Sequence, residues 1–354
     1  MYLPSFSDSH THIREAVNYV AHLPEMQAIG LNKIALVALS IRPWGFSGGE
    51  NWDILYVKQH AESVPVYTFG SLTYEYFLPV CPYEKQAELL LNMGFDGMKF
   101  IEMKPTYRRR LGFGLNHPKY DKMFAYLEKV QAPVVLHACD PDEYWTNPEY
   151  FKNMVERGAF YGDGSLPTKA EMNQEVFDIL DKYPNLNVIL AHFFFLSNDI
   201  DEAVRVMEKY PGVKFDLTPG SEMYRGFSKN IEAWREFFVK YRHRILYGTD
   251  NNESNSSRFQ LHEFVGTALT HDHSEYMTPF LKTPVRGLAL DEETVHTIAV
   301  ENFDRYFGRK PKPINETVLR EVQEYIREYT SKYPAYTDYA RVYAQTYLDK
   351  MNRV

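Results

Sequence analysis

Asp8-Ser9-His10-Thr11-His12 closes a short apolar run that opens at Leu3, and three runs of the same kind follow at Ile34–Ser40, Pro65–Ser71 and Asp96–Ile101. Their starts fall about 31 residues apart, the length of one strand–helix–strand unit. Four further runs read as strands: Pro133–Ala138, Asn187–His192, Val213–Leu217 and Ile245–Asp250. No repeat of sequence accompanies the period, so it belongs to the architecture and not to a solenoid. The segments between carry helix signals. Tyr83–Met93 sets Ala87, Leu90 and Leu91 at helical spacing before Gly94, and Met172–Tyr183 puts Val176, Phe177 and Leu180 on one face before Pro184. Asp291 supplies a cap before Val295–Phe307, with Gly308 past the end. Eight strands, each followed by a helix, predict an α/β fold: a (β/α)8 TIM barrel with extra C-terminal helices. An open doubly wound sheet is the competing topology, because pattern alone does not show closure.

The chain has 354 residues, 44% hydrophobic and 24% charged, enough for such a barrel. Its 39 Lys and Arg against 47 Asp and Glu leave a net charge of −8, which disfavours nucleic acid and anionic membranes as partners. No apolar run reaches the roughly 18 residues that span a bilayer. Met1-Tyr2-Leu3-Pro4-Ser5 lacks the basic-then-apolar pattern of a secretion signal. Cys81 and Cys139 are too few for a disulfide framework or a cysteine-based zinc cluster. The expectation is a cytoplasmic protein that acts on a small molecule. Two connections, Cys139–Lys169 and Asn251–Leu290, are far longer than usual after a strand; they line a pocket or hold helices on the rim. Residues 1–310 read as the barrel. Residues 311–354 read as a helical extension, Glu316–Lys332 and Thr337–Met351 around Pro334, packed on the barrel or at a subunit contact such as that of a homodimer.

Chemistry concentrates at strand ends. Side chains at i, i+2 and i+4 of an extended segment share a face, so Asp8, His10 and His12 point into one space, where two imidazoles can grip a metal ion. A His-x-His pair alone is weak, and His271-Asp272-His273 repeats it in a polar loop where solvent is the simpler partner. The company of the first pair strengthens it. Val134-Val135-Leu136 leads to His137, Val188-Ile189-Leu190-Ala191 to His192, and Ile245-Leu246-Tyr247-Gly248-Thr249 to Asp250. In a barrel all strand C-termini meet at one mouth, so these residues converge, and imidazoles and a carboxylate buried there need partners. Together they predict a metal site.

The ordered set resembles the amidohydrolase superfamily, in its amidohydrolase-2 branch of metal-dependent hydrolases and decarboxylases. The matching marks are Asp8–His12, His137-Ala138-Cys139-Asp140-Pro141, His192, Tyr247-Gly248-Thr249-Asp250 and Glu301-Asn302-Phe303 ahead of Phe307-Gly308, between about residues 2 and 308. The resemblance implies that His10, His12, His137 and Asp250 hold one divalent metal, zinc first, with manganese or iron as alternatives. It implies that His192 stands beside the metal as a catalytic or substrate-polarising residue, that Asp8 supports the site, and that Asn302 fixes the last helix. Many superfamily members bridge two metals with a carboxylated lysine on the fourth strand, where Lys99 sits; the branch generally uses one metal, and one is expected here. Glu102 faces the opposite side of that strand.

The expected reaction is attack by a metal-bound hydroxide on a carboxylic ester, lactone or amide, with Asp250 as proton acceptor and His192 polarising the carbonyl. The resemblance also implies an alternative, nonoxidative decarboxylation of a substituted benzoate or enoic acid. A third reading is a non-catalytic binding protein whose metal is structural. Arg14 and Arg225 are candidates for an acidic substrate or for ordinary ion pairs, and Trp44, Tyr144, Trp145, Tyr150, Phe160 and Tyr161 for an aromatic pocket wall or plain core. Arg108-Arg109-Arg110 reads as a solvated loop. Cys139 reads as a soft metal contact or a buried side chain, and Asp140 as support for the site or as a turn residue.

Overall fold

The eight apolar runs pair as eight parallel strands in chain order: β1 (Phe6–Thr11), β2 (Leu31–Val37), β3 (Val66–Gly70), β4 (Gly97–Met103), β5 (Val134–Ala138), β6 (Val188–Leu190), β7 (Val213–Asp216) and β8 (Ile245–Leu246). This arrangement is seen in a computed structural model that describes residues 3–42, 45–46, 49–74, 81–149, 152–156, 158–219, 222–251, 257–277, 284–333 and 338–354. The sheet returns on itself. Ser9 N donates to Tyr247 O at 3.0 Å, Asp250 N to His10 O at 2.9 Å and His12 N to Asn251 O at 2.7 Å, joining the end of β1 to the segment after β8. The barrel thus replaces the open sheet. A Cβ at Gly248 would meet Thr218 Cγ2 at 3.0 Å and Ser9 Oγ at 3.2 Å, so a side chain there would press on the junction.

Each strand is followed by a helix: α1 (Ala16–Ala28), α2 (Glu50–His60), α3 (Tyr83–Met93), α4 (Asp121–Val130), α5 (Lys169–Lys182), α6 (Ile200–Lys209), α7 (Ile231–Tyr241) and α8, a continuous run over 292–307 with one π turn at Thr297–Glu301. The signals read from sequence act as expected. Gly94 ends α3 in the left-handed region at φ 111°. Thr168 and Glu171, not among those signals, form a reciprocal cap on α5, so that helix starts before Met172. Asp291 accepts from Thr294 N at 2.8 Å at the start of α8. Asn302 Nδ2 donates to Arg242 O at 2.6 Å and to Ile245 O at 2.7 Å, tying α8 to the entry of β8.

The first long connection carries the short helices Glu143–Thr146 and Lys152–Val155, and the second carries a helix at Ser257–Thr270 and a small hairpin. Beyond the barrel, α9 (Glu316–Lys332) packs on α3, and α10 (Asp338–Met351) packs on α2, where Tyr347 meets Trp52 edge-on at 5.9 Å. No described helix is long and apolar enough to cross a membrane.

Strands β6 and β8 are shorter than their apolar runs. After β6 the backbone leaves the sheet as His192 takes φ of 55°, outside the extended range, whereas after β8 it runs on beside β1 as far as Asn251, with Asp250 at φ 53°. Cys139, just after β5, does the same at φ 65°.

Candidate metal centre

Asp8 and His10 on β1 are both fully buried, and His12, one residue past the strand, meets Asp250 at the same mouth. His10, His12 and Asp250 form the one group among the described residues whose nitrogen and carboxylate donors all lie within 4.8 Å of one another. His12 Nε2 is 3.1 Å from Asp250 Oδ1, and His10 Nε2 is 3.9 Å from it. Asp8 supports the junction: its carboxylate accepts from His10 N at 3.1 Å and from Thr249 N at 3.2 Å.

Partners behind the rings set their orientation. His10 Nδ1 lies 2.8 Å from Asp216 Oδ2, and its Nε2 lies 3.0 Å from Lys99 Nζ. His12 Nδ1 lies 3.0 Å from the Val37 carbonyl oxygen. A carbonyl only accepts, so His12 Nδ1–H donates and Nε2 is left as a lone pair facing the Asp250 oxygen. Two acceptors at that distance need a proton or a cation between them. The donor set, two imidazole nitrogens and a carboxylate oxygen, suits a borderline divalent ion.

Charge states agree with this use. Burial, reinforced by the Lys99 charge, pushes the His10 imidazole down to about 4. Burial also lowers His192, and burial with the Lys104 charge lowers His137 well below the usual range. The imidazoles of His10, His137 and His192 are therefore neutral near pH 7, as ligation requires. Burial opposes the charge on Asp250, but a proton shared with His12 at that contact, and the charge it brings to the ring, hold the carboxyl well below the ordinary range. Burial lowers the Lys99 ammonium to about 8.

His137 does not join the group of three. Its Nδ1 faces His192 Nε2 at 3.0 Å, and its Nε2 lies 3.1 Å from Cys139 O and 3.5 Å from Lys104 Nζ. His192 stands between them, its ring centroid 4.6 Å from that of His137 and 5.9 Å from that of His10. Lys99 reaches the centre, whereas Glu102 turns away to Ser40 Oγ at 2.9 Å and Tyr74 OH at 3.0 Å.

Other candidates lie around the mouth or away from it. Trp145 and Tyr161 pack edge-on at 4.9 Å; Trp145 Nε1 donates to Pro167 O at 3.1 Å, and Tyr161 OH donates to Asp140 Oδ2 at 2.8 Å. Asp140 also takes Lys104. Cys139 is buried, with Sγ 3.0 Å from Asn173 Oδ1. Arg14 is exposed past β1, and Arg225 is half-buried in the helix Met223–Lys229. Arg108 grips Glu175 through two nitrogens, and the His271–His273 loop stays at the surface. Trp44 and Tyr150 lie outside the described residues.

Sequence reasoning missed Asp216, Thr218 and Lys104. The available signal was positional: Asp216 ends a strand as Asp250 ends its run, but Val213-Lys214-Phe215-Asp216 carries a lysine that makes it read as an ordinary edge of the barrel.

No curated protein matches the chain. Among solved structures, an uncharacterised TIM-barrel protein of Bordetella bronchiseptica is similar at 14% identity and a TM-score of 0.55, over 86% of this chain and 100% of that one. A 2,6-dihydroxybenzoate decarboxylase is similar at 14% identity and a TM-score of 0.51, over 86% and 99%. The 5-carboxyvanillate decarboxylase of Novosphingobium aromaticivorans, solved with manganese bound, gives 14% and 0.50, over 86% and 97%. At these identities the likeness speaks for the fold. The sequence pattern of the amidohydrolase family matches residues 82–309, almost two-thirds of the chain, and the chain belongs to that family.

Proposed function

We propose that the protein is a metal-dependent enzyme that hydrolyses a small-molecule carboxylic ester, lactone or amide at the barrel mouth. The observation that carries this reading is the Asp250 carboxylate, ionised, about 35% exposed and set against His10 and His12. His10, His12 and Asp250 are the residues that would hold the ion; His137, expected as the fourth donor, faces His192 in this structure. A divalent ion, when bound, acidifies a water and polarises a carbonyl. Asp250, partly open to solvent beside the two rings, is the group that takes a proton from an attacking water. His192 and His137 form the neighbouring wall as neutral rings, and a neutral imidazole still offers one N–H to a carbonyl oxygen as negative charge develops on it. Tyr161 and Trp145 stand beside Asp140 and suit a ring-bearing substrate.

Decarboxylation of an aromatic acid is the second reading. It is favoured by the Lys104 ammonium, 3.5 Å from His137 Nε2, as a cation near the mouth, and by the two decarboxylases among the similar structures. The test is to load the protein with zinc or manganese, determine metal per chain, and assay esters, lactones and amides beside hydroxybenzoates, reading acid and carbon dioxide release. Turnover of an ester or amide without carbon dioxide supports hydrolysis, and carbon dioxide release replaces it with the second reading. Asp250→Asn, with metal in excess, is expected to lower kcat about 10²–10⁴-fold. A wild type that binds neither ion overturns the proposal.

A further inference from the structure

We infer that Asp216, at the C-terminal end of β7, is the positioning residue of this centre: one carboxylate that turns the His10 Nε2 lone pair toward the metal position and pins the backbone turn carrying His192. The inference rests on the reading of His10 as a metal ligand.

Asp216 is fully buried, and a buried carboxylate is costly unless its lone pairs are used. All of its partners belong to the site or adjoin it. Oδ2 takes His10 Nδ1 at 2.8 Å. Oδ1 accepts from His192 N at 2.8 Å, from Thr218 N at 3.2 Å and from the Thr218 hydroxyl. Thr218 in turn accepts from His192 N at 3.1 Å through Oγ1, and its carbonyl oxygen lies 3.1 Å from His192 Nδ1. One side chain therefore connects a ligand on β1 to the turn after β6, although neither strand neighbours the other in the sheet.

The two contacts of the His10 ring specify a single tautomer. The Lys99 ammonium, 3.0 Å from Nε2, can only donate, so Nε2 carries the lone pair. An ionised carboxylate can only accept, so Nδ1–H donates to Asp216. Both partners demand the same form, the one in which Nε2 is a lone pair that Lys99 meets and an ion can take in its place. An outer carboxylate of this kind fixes ring and tautomer and raises the basicity of the ligand.

The second half of the role concerns the chain direction. His192, Phe193, Phe194 and Phe195 hold φ between 53° and 55°, a left-handed stretch with no glycine in it. Such a stretch persists only where its surroundings over-determine it. The N–H of its first residue is shared by Asp216 and Thr218, which fixes where the turn begins and where the His192 ring stands.

The experiment measures zinc affinity by competition with a chromogenic chelator, and the tautomer of His10 by nitrogen-15 NMR of the metal-free protein. The variants are Asp216→Asn and Thr218→Val. The His10 ring in the wild type is expected to be protonated at Nδ1. Asp216→Asn is expected to weaken zinc ~10–100-fold and to shift the ring toward the other tautomer. Thr218→Val leaves the His10 contact in place, so its zinc affinity is expected to stay within about twofold. A His10 ring protonated at Nε2 in the wild type overturns the inference, and that spectrum decides even if Asp216→Asn does not fold. Equal losses in the two variants also overturn it, because the carboxylate would then act only on the fold. Failure of the wild type to bind zinc or manganese at all sinks the functional reading instead, and the tautomer still reports on Asp216.

Discussion

At the scale of single residues, Lys99 and Glu102 show what strand parity can and cannot say. Three positions apart on β4, they face opposite sides, and Glu102 accordingly joins Ser40 and Tyr74 away from the metal position. That much follows from the alternation of an extended chain. The 3.0 Å contact of the Lys99 ammonium with His10 Nε2 does not, since it depends on the radius of the closed barrel. An ammonium and a metal ion compete for one lone pair and repel each other. Lys99→Met should therefore raise zinc affinity about tenfold, the equivalent of ~1.4 kcal/mol. The same chelator competition checks it, and a loss of metal instead would mark the lysine as a ligand. Burial holds this ammonium to about 8, so part of the competition is already relieved near neutral pH.

At the scale of elements, the positions of the strands were legible and their ends were not. Hydrophobic runs continue past β6 and β8 because the following residues are also buried, but after β6 the backbone has already left the sheet, and after β8 it continues against β1. The left-handed turn at His192–Phe195 costs roughly 1–2 kcal/mol per residue. Phe193 offsets much of it. Its ring meets those of Phe215, Phe227, Trp234, Phe237 and Phe238 at centroid distances of 4.6 to 5.7 Å, and the residue is fully buried. Phe193→Ala should lower the unfolding free energy by about 4 kcal/mol in urea titration, through the cavity it leaves. Because the turn carries His192, activity should fall further than the unfolded fraction explains.

For the whole molecule, closure of the barrel separates a mouth with the chemistry from a far end with structural ion pairs and buried cations. Lys214 lies near the start of β7, 5% exposed, with Nζ 2.6 Å from Asn187 Oδ1, 2.8 Å from Gly212 O and 4.5 Å from the centre of the Tyr306 ring. Burial, with the Arg244 charge, lowers this ammonium to about 7. Between pH 7 and 10.5 the unfolded chain then binds the proton that the folded protein has released. Stability from this group therefore rises with pH across that window, by at most about 1.4 kcal/mol per pH unit. The melting temperature of the wild type should rise relative to that of Lys214→Met between pH 6.5 and 9.5. A constant difference would show that Lys214 keeps its proton.

Legible along the chain alone are the eight strands, the helix between each pair, the helix ends at Asp291 and Gly94, and the histidines and aspartate at strand ends. These are local or periodic properties, readable from neighbours a few positions apart. Tertiary structure decided which of those residues meet. The β1–β8 junction sets His12 against Asp250, and the left-handed turn after β6 puts His192 between His10 and His137. It also brings Asp216 behind His10 from 206 positions away. Such contacts depend on the curvature of a closed sheet and on backbone turns stabilised by distant groups, and no spacing along the chain encodes either.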